Sequence, residues 1–152
     1  MDDAAQVVGG LGPEPLEPAF TSQMLEQRLQ RRSGPIKAVL LDQTFLAGVG
    51  NMYADEALFL ARLHPLRPAN SLSPEEISKL HRAIRAVLRT AIEHRGTTFS
   101  DYQRPDGEPG THQFHFHVAH RGGLPCPVCG APVERIEVRG RGTYFCPRCQ
   151  TL

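Results

Sequence analysis

Four cysteines fall within the last 27 residues as two pairs, Cys126-Pro-Val-Cys129 and Cys146-Pro-Arg-Cys149, with sixteen residues between them. A two-residue gap lets both thiolates of a pair reach one metal ion, and four thiolates in a tetrahedron suit Zn²⁺. A site closed by four cysteines leaves no open position for water or substrate, so the one zinc it implies is structural. A hairpin of this size buries too little core to fold alone, and the metal supplies the difference. No βαβ pattern surrounds either pair, which argues against a thioredoxin-like redox site.

Three further groups carry candidate chemistry. Arg139-Gly140-Arg141-Gly142 lies between the pairs. Arginine in a glycine-framed turn can hold a phosphate bidentately, and the same pattern serves equally well as a solvated turn. Asn51 follows a glycine-rich stretch at the start of an apolar periodic run. There it is a plain N-cap, or a helix N-terminus that offers N–H groups to an anion. His112, His115, His117 and His120 crowd the segment before the first cysteine pair. With no carboxylate or cysteine to complete a ligand set, packing or surface roles fit them better than a second metal.

The elements that position these residues read as a helical body followed by a β unit. A helix is expected from Thr21 to Arg32, capped by Thr21 and stopped by Gly34. A second starts at Pro35 and runs through Gln43. Thr44 to Gly50 reads as consecutive turns, and a third helix follows from Asn51 to about Arg62, ended by His64-Pro65. Ser73-Pro74-Glu75-Glu76 is a capping box opening a fourth helix, with Gly96 as its C-terminal stop. Gln113–Ala119 alternates as a strand, and Val133–Val138 with Thr143–Phe145 forms a hairpin. The fold class is therefore mostly α with a small β zinc ribbon. Residues 1–20 read as a flexible leader or linker, 21–112 as the helical domain with a long loop, and 113–152 as a β-hairpin zinc finger.

The net charge of +1 hides a split. Residues 1–20 hold four acidic and no basic side chains, which leaves +5 on residues 21–152. A basic body permits a polyanion partner. No apolar run approaches the roughly 18 residues of a spanning helix, and no basic stretch followed by an apolar one opens the chain. A membrane partner is not expected.

The stretch Ile36-Lys37 to Asp42-Gln43, followed by Ala47-Gly48-Val49-Gly50-Asn51-Met52-Tyr53-Ala54-Asp55-Glu56, resembles the helix–two-turns–helix element of the formamidopyrimidine-DNA glycosylase/endonuclease VIII family. His64-Pro65, the capping box, Gly96-Thr97-Thr98, Pro105–Gly110, the four-cysteine finger and Arg141 follow in that family's order. Leu11–Leu16 (LGPEPL) resembles the family's linker into this domain. The family excises oxidised bases from DNA and cleaves the abasic strand. The resemblance implies that Asn51 and Arg141 grip the phosphates flanking the lesion, and that Arg141 serves the δ-elimination step. It implies phosphate contacts from Lys37 and Arg32. It places Thr111 in the loop covering an extruded oxidised purine, a pocket that base flipping requires. The implied partner is double-stranded DNA with an oxidised base or abasic site, in the bacterial cytoplasm and associated with the nucleoid.

Two departures qualify the resemblance. The family's nucleophile is an N-terminal proline followed by glutamate, in a β-sandwich that precedes this region. Here Met1 is followed by Asp2-Asp3, so the expectation is a C-terminal half that binds DNA and relies on a missing catalytic half. The family's Tyr-Gly before the finger is Ala119-His120 here. The competing readings are a stand-alone, non-catalytic DNA-binding module and a zinc-ribbon interaction domain.

Overall fold

The computed structural model describes residues 11–102 and 116–152. Among the described residues, four α-helices, α1 (Ser22–Leu29), α2 (Ile36–Leu41), α3 (Asn51–Ala61) and α4 (Pro74–Tyr102), with a short 3-10 turn at Ala69–Ser71 before the last, precede a hairpin of β1 (Glu134–Val138) and β2 (Arg141–Phe145). The helices enclose one core, with Leu25, Leu29, Ile36, Leu40, Phe45, Leu46, Leu58, Leu80 and Ile84 fully or almost fully buried. A second apolar cluster of Phe59, Val118, Cys126, Val133 and Cys146 joins the finger to α3.

Local rules account for most boundaries. Thr21 caps α1 by accepting the Met24 N–H at 3.1 Å. The capping box of α4 is reciprocal: Glu76 N–H donates to Ser73 Oγ at 3.1 Å, and Ser73 N–H to Glu76 Oε1 at 2.8 Å. This satisfies two donors that a bare helix start leaves orphaned. α4 passes through Gly96 rather than stopping there. One glycine costs a helix interior only about 1 kcal/mol, too little alone to end it. α3 ends one residue early, because Arg62 adopts a left-handed conformation at φ 63° and its N–H returns to Leu58 and Phe59.

The two turns between α2 and α3 are held by side chains. Asp42 Oδ1 accepts from the Thr44 N–H and hydroxyl at 2.9 and 2.6 Å. Gln43 spans both turns, accepting the Gly48 N–H and donating to the Leu41 and Val49 carbonyls. Gly48, at φ 88°, takes the left-handed conformation that disfavours any side chain.

The flexible-leader reading is corrected for its described part, 11–20. Gly12 N–H donates to Gln43 O at 2.7 Å, and Ala47 N–H to Pro13 O at 3.0 Å. Arg85 donates to Pro15 O, His81 bonds Phe20 O, and the Phe20 ring lies in the core. This segment is a docked strap across the two turns. The strand expected over 113–119 is also corrected where it is described: residues 116–119 form no strand and bend into a turn that starts at Ala119. The N–H groups of His117, Val118 and Ala119 all converge on the Glu56 carboxylate, at 2.8–3.0 Å, which no extended strand allows.

Candidate nucleic-acid interface and metal centre

The hairpin brings the two cysteine pairs together. All four Sγ atoms lie within 4.8 Å of one another. Cys129 and Cys146 are 3.4 Å apart, Cys126 and Cys149 3.9 Å. A tetrahedron with Zn–S bonds of about 2.3 Å has sulfur–sulfur edges of roughly 3.8 Å. Backbone N–H groups of Val128 and Cys149 point at the Cys126 and Cys146 sulfurs, at 3.3 and 3.4 Å, as thiolates require. The donor set fits one structural Zn²⁺. Gln150 ties this centre to the helices: its Oε1 accepts the Cys146 N–H and its Nε2 donates to Leu63 O.

The hairpin turn is shorter than the RGRG pattern implied. Only Arg139 and Gly140 form it, both with positive φ (53° and 81°), and Val138 pairs with Arg141. Arg141 therefore starts β2, exposed, directly after the turn. From there β2 runs against α3. Asn51 Nδ2 donates to Gly142 O at 3.0 Å. That bond joins residues 91 apart and sets Arg141 beside the start of α3.

Asn51 is not the cap of α3. Gly50 is, without any side-chain hydrogen bond, and Asn51 is the first helical residue. Its amide crosses to the hairpin, so the first N–H groups of α3 are left without a side-chain cap. An uncapped helix start is a ready anion site. The Asn51 Oδ1 is buried with no partner among the described residues.

Lys37 is corrected. It is fully buried, and Nζ donates to Asp55 Oδ1 at 2.6 Å, Thr143 Oγ1 at 2.8 Å and Gly142 O at 3.3 Å. An ammonium has three donors, so none is left for a phosphate. Asp55, 1% exposed, accepts the Tyr144 N–H with its second oxygen. Burial pushes the Asp55 carboxyl up to about 6 and Lys37 down, and their mutual attraction opposes both shifts. Lys37 and Asp55 thus pin the hairpin to the helices from inside.

Glu56, next on α3, pins the segment before the finger. Besides the three backbone N–H groups, it bonds His117 Nδ1 at 2.8 Å. Burial pushes its carboxyl up, but the bonds from the His117 ring and three backbone N–H groups outweigh this and hold it below the usual range. The same bond raises His117, whose ring stacks on Phe59. His120 contacts Met52 Sδ and the Tyr144 ring. His112, His115, Thr111 and the expected covering loop lie outside the described residues. Arg32 is half-buried and bridged to Asp42 at 2.6 Å, with its guanidinium over the Phe45 ring. The Thr44 and Arg32 bonds hold Asp42 down at about 2.

Sequence reasoning missed Asp55, Glu56 and Gln150. Two adjacent carboxylates among Ala54, Ala57 and Leu58, on a helix with no polar face, were the available signal.

Comparison with known proteins bears on this arrangement. The formamidopyrimidine-DNA glycosylase H2TH domain matches residues 11–103, and the zinc finger found in FPG and IleRS matches 123–152. The chain belongs to the formamidopyrimidine-DNA glycosylase family. The glycosylase of Symbiobacterium thermophilum is 54% identical over 145 residues, covering 95% of this chain and 48% of that protein. That of Thermus thermophilus is 57% identical over 142 residues, covering 92% and 53%. The chain spans about half the length of the curated relatives it matches. The Thermus thermophilus crystal structure superposes with a TM-score of 0.81 at 56% identity, over 92% of this chain and 53% of that one. A Lactococcus lactis glycosylase non-covalently bound to DNA with an abasic site gives 0.84 at 36% identity, over 98% and 53%. Among the described residues, no helix is long and apolar enough to cross a membrane.

Proposed function

We propose that this chain is the DNA-gripping half of a base-excision-repair glycosylase and abasic-site lyase acting on oxidised bases. One observation carries the reading: the Asn51–Gly142 bond sets an exposed arginine, Arg141, beside the uncapped start of α3. Two candidate phosphate contacts from separate elements thereby lie side by side. Backbone gripping fixes register on the duplex without reading sequence. It also holds a kinked backbone open around an extruded base. Asn51 and Arg141 form this clamp, Arg32 adds a flanking contact, and Thr111 contributes a further DNA contact. The zinc makes the finger rigid enough to aim Arg141. Arg141 also serves δ-elimination, while the amine nucleophile that forms the Schiff base comes from the N-terminal half that the relatives carry. Acting on DNA, the chain works at the bacterial nucleoid.

The test is Arg141→Ala in the zinc-loaded chain, binding a duplex with an abasic analogue. Wild-type affinity falls as salt rises, by counterion release. The variant binds more weakly, with a slope shallower by about 0.9. An unchanged affinity and slope in the variant, or salt-independent binding by the wild type, removes the clamp.

A further inference from the structure

A second cluster of arginines lies outside that clamp. Arg31 and Arg32, just past the end of α1, and Arg139, in the hairpin turn, line one cleft of about 390 Å³ with Asp42. Asp42 offsets one charge through its bridge to Arg32. The guanidinium groups of Arg31 and Arg139 make no hydrogen bond or ion pair among the described residues. The crowding is felt locally: Arg28 is pushed down by burial and then by the charges of Arg32 and Arg31.

Basic residues at a helix C-terminus favour the helix dipole, which accounts for those of α1. That does not account for Arg139, which arrives from a separate element far along the chain. Its own position is an unfavourable one for arginine. The two-residue turn needs a positive φ at both sites, where Asn, Asp or Gly is preferred. The segment it meets makes room for it. A β-carbon at Gly34 would sit 3.3 Å from Arg139 Nη2, so glycine there lets the guanidinium lie against the link between α1 and α2. Two elements thus bring like charges together with one carboxylate between them, an arrangement that an anion in the cleft relieves. Arg139 is two residues from Arg141 on the same hairpin, so a backbone gripped by Arg141 has its neighbouring phosphates close to this cleft.

We propose that the cleft of Arg31, Arg32 and Arg139 is a second phosphate site that holds a further backbone phosphate of the DNA gripped at Asn51 and Arg141. The inference rests on the proposed function and extends its footprint along the duplex. Arg139 anchors the phosphate from the finger and Arg31 from α1, so the contact also locks the finger against the helical body on bound DNA.

The test is the double variant Arg31→Gln with Arg139→Asn, which keeps a residue tolerant of the left-handed turn. Zinc content and circular dichroism matching wild type establish that it is folded. Salt-dependent binding is measured on the abasic-analogue duplex with wild type, the double variant, Arg141→Ala, and Arg82→Ala as a charge control. The expected result is a slope shallower by about 0.9 in the double variant, one phosphate lost, with Arg82→Ala unchanged. Trimming the duplex on one flank should bring wild type to the variant's slope. An unchanged double variant beside a weakened Arg141→Ala overturns this inference and leaves the clamp standing. If Arg141→Ala is unchanged as well, the proposed function itself fails. If inorganic phosphate raises the melting temperature of wild type but not of the double variant, while DNA slopes agree, the cleft is a small-anion site and the DNA assignment is overturned.

Discussion

Replacing Lys37 by Met tests whether this lysine is an internal pin. The change keeps the volume of the side chain's stem and removes three hydrogen bonds and the charge facing Asp55. Removing one partner of a buried ion pair costs about 3–5 kcal/mol, since the other charge is left uncompensated. The pH dependence gives the reasoning its signature. Asp55 titrates near 3.9 when unfolded and at about 6 in the native chain. Its folded value is raised, so its contribution to stability is complete below the unfolded value and is lost as pH rises through the folded one. Without Lys37 the folded value climbs higher still. Each further unit is worth roughly 1.4 kcal/mol between the two protonation states. The variant's Asp55 therefore takes up its proton earlier as pH falls, and the penalty shrinks. Urea unfolding of the zinc-loaded chain should show a loss of about 4 kcal/mol at pH 8, declining to about 2 kcal/mol at pH 6. A loss under about 1 kcal/mol, the same at both pH values, refutes the buried pin and returns Lys37 to the candidates for phosphate contact.

Cys126→Ser should release the zinc and melt the hairpin while most helical ellipticity remains; stoichiometric zinc by mass spectrometry would contradict the ligand set. Glu56→Gln swaps one acceptor oxygen for an amino group facing convergent N–H donors. It should destabilise the chain by about 3 kcal/mol, the cost of unsatisfied buried groups near a lost charge, and a change under about 1 kcal/mol in urea unfolding would deny Glu56 that role. Gly12→Ala would place a β-carbon 2.3 Å from Phe45 O and 2.8 Å from Leu46 N, both backbone atoms. The strap must lift, at a cost of about 1–3 kcal/mol, read as a fall of several degrees in Tm; an unaltered Tm would mean that 11–20 is not docked.

What the sequence discloses is what short-range rules govern. Thr21, the Ser73–Glu76 box and the two cysteine pairs each act within a few residues, so spacing alone identifies them. The resemblance added the pairing of Asn51 with Arg141, which no spacing rule connects. What stayed hidden depends on partners far along the chain. Lys37 reads as a surface base until Asp55 and Thr143 close around it, 18 and 106 residues away. Residues 116–119 alternate like a strand, and only the distant Glu56 carboxylate turns them into a nest. Asn51 sits where a cap belongs, but the Gly142 carbonyl claims its amide.

The placement of Asp55 and Glu56 also sets an order of assembly. Glu56 finds the Val118 N–H 62 residues later, and Asp55 the Tyr144 N–H 89 residues later. During synthesis the helical body emerges first; Lys37 can already pair with Asp55 there, whereas Glu56 and the Phe59 side of α3 still wait for residues further along the chain. Contacts of such long sequence separation form late, after the loop-closure entropy has been met. Docking of the finger then covers the Lys37–Asp55 pair and Phe59 together. Starving the nascent chain of zinc would leave the body collapsed but with its most polar seam open to water, a half-assembled state prone to association.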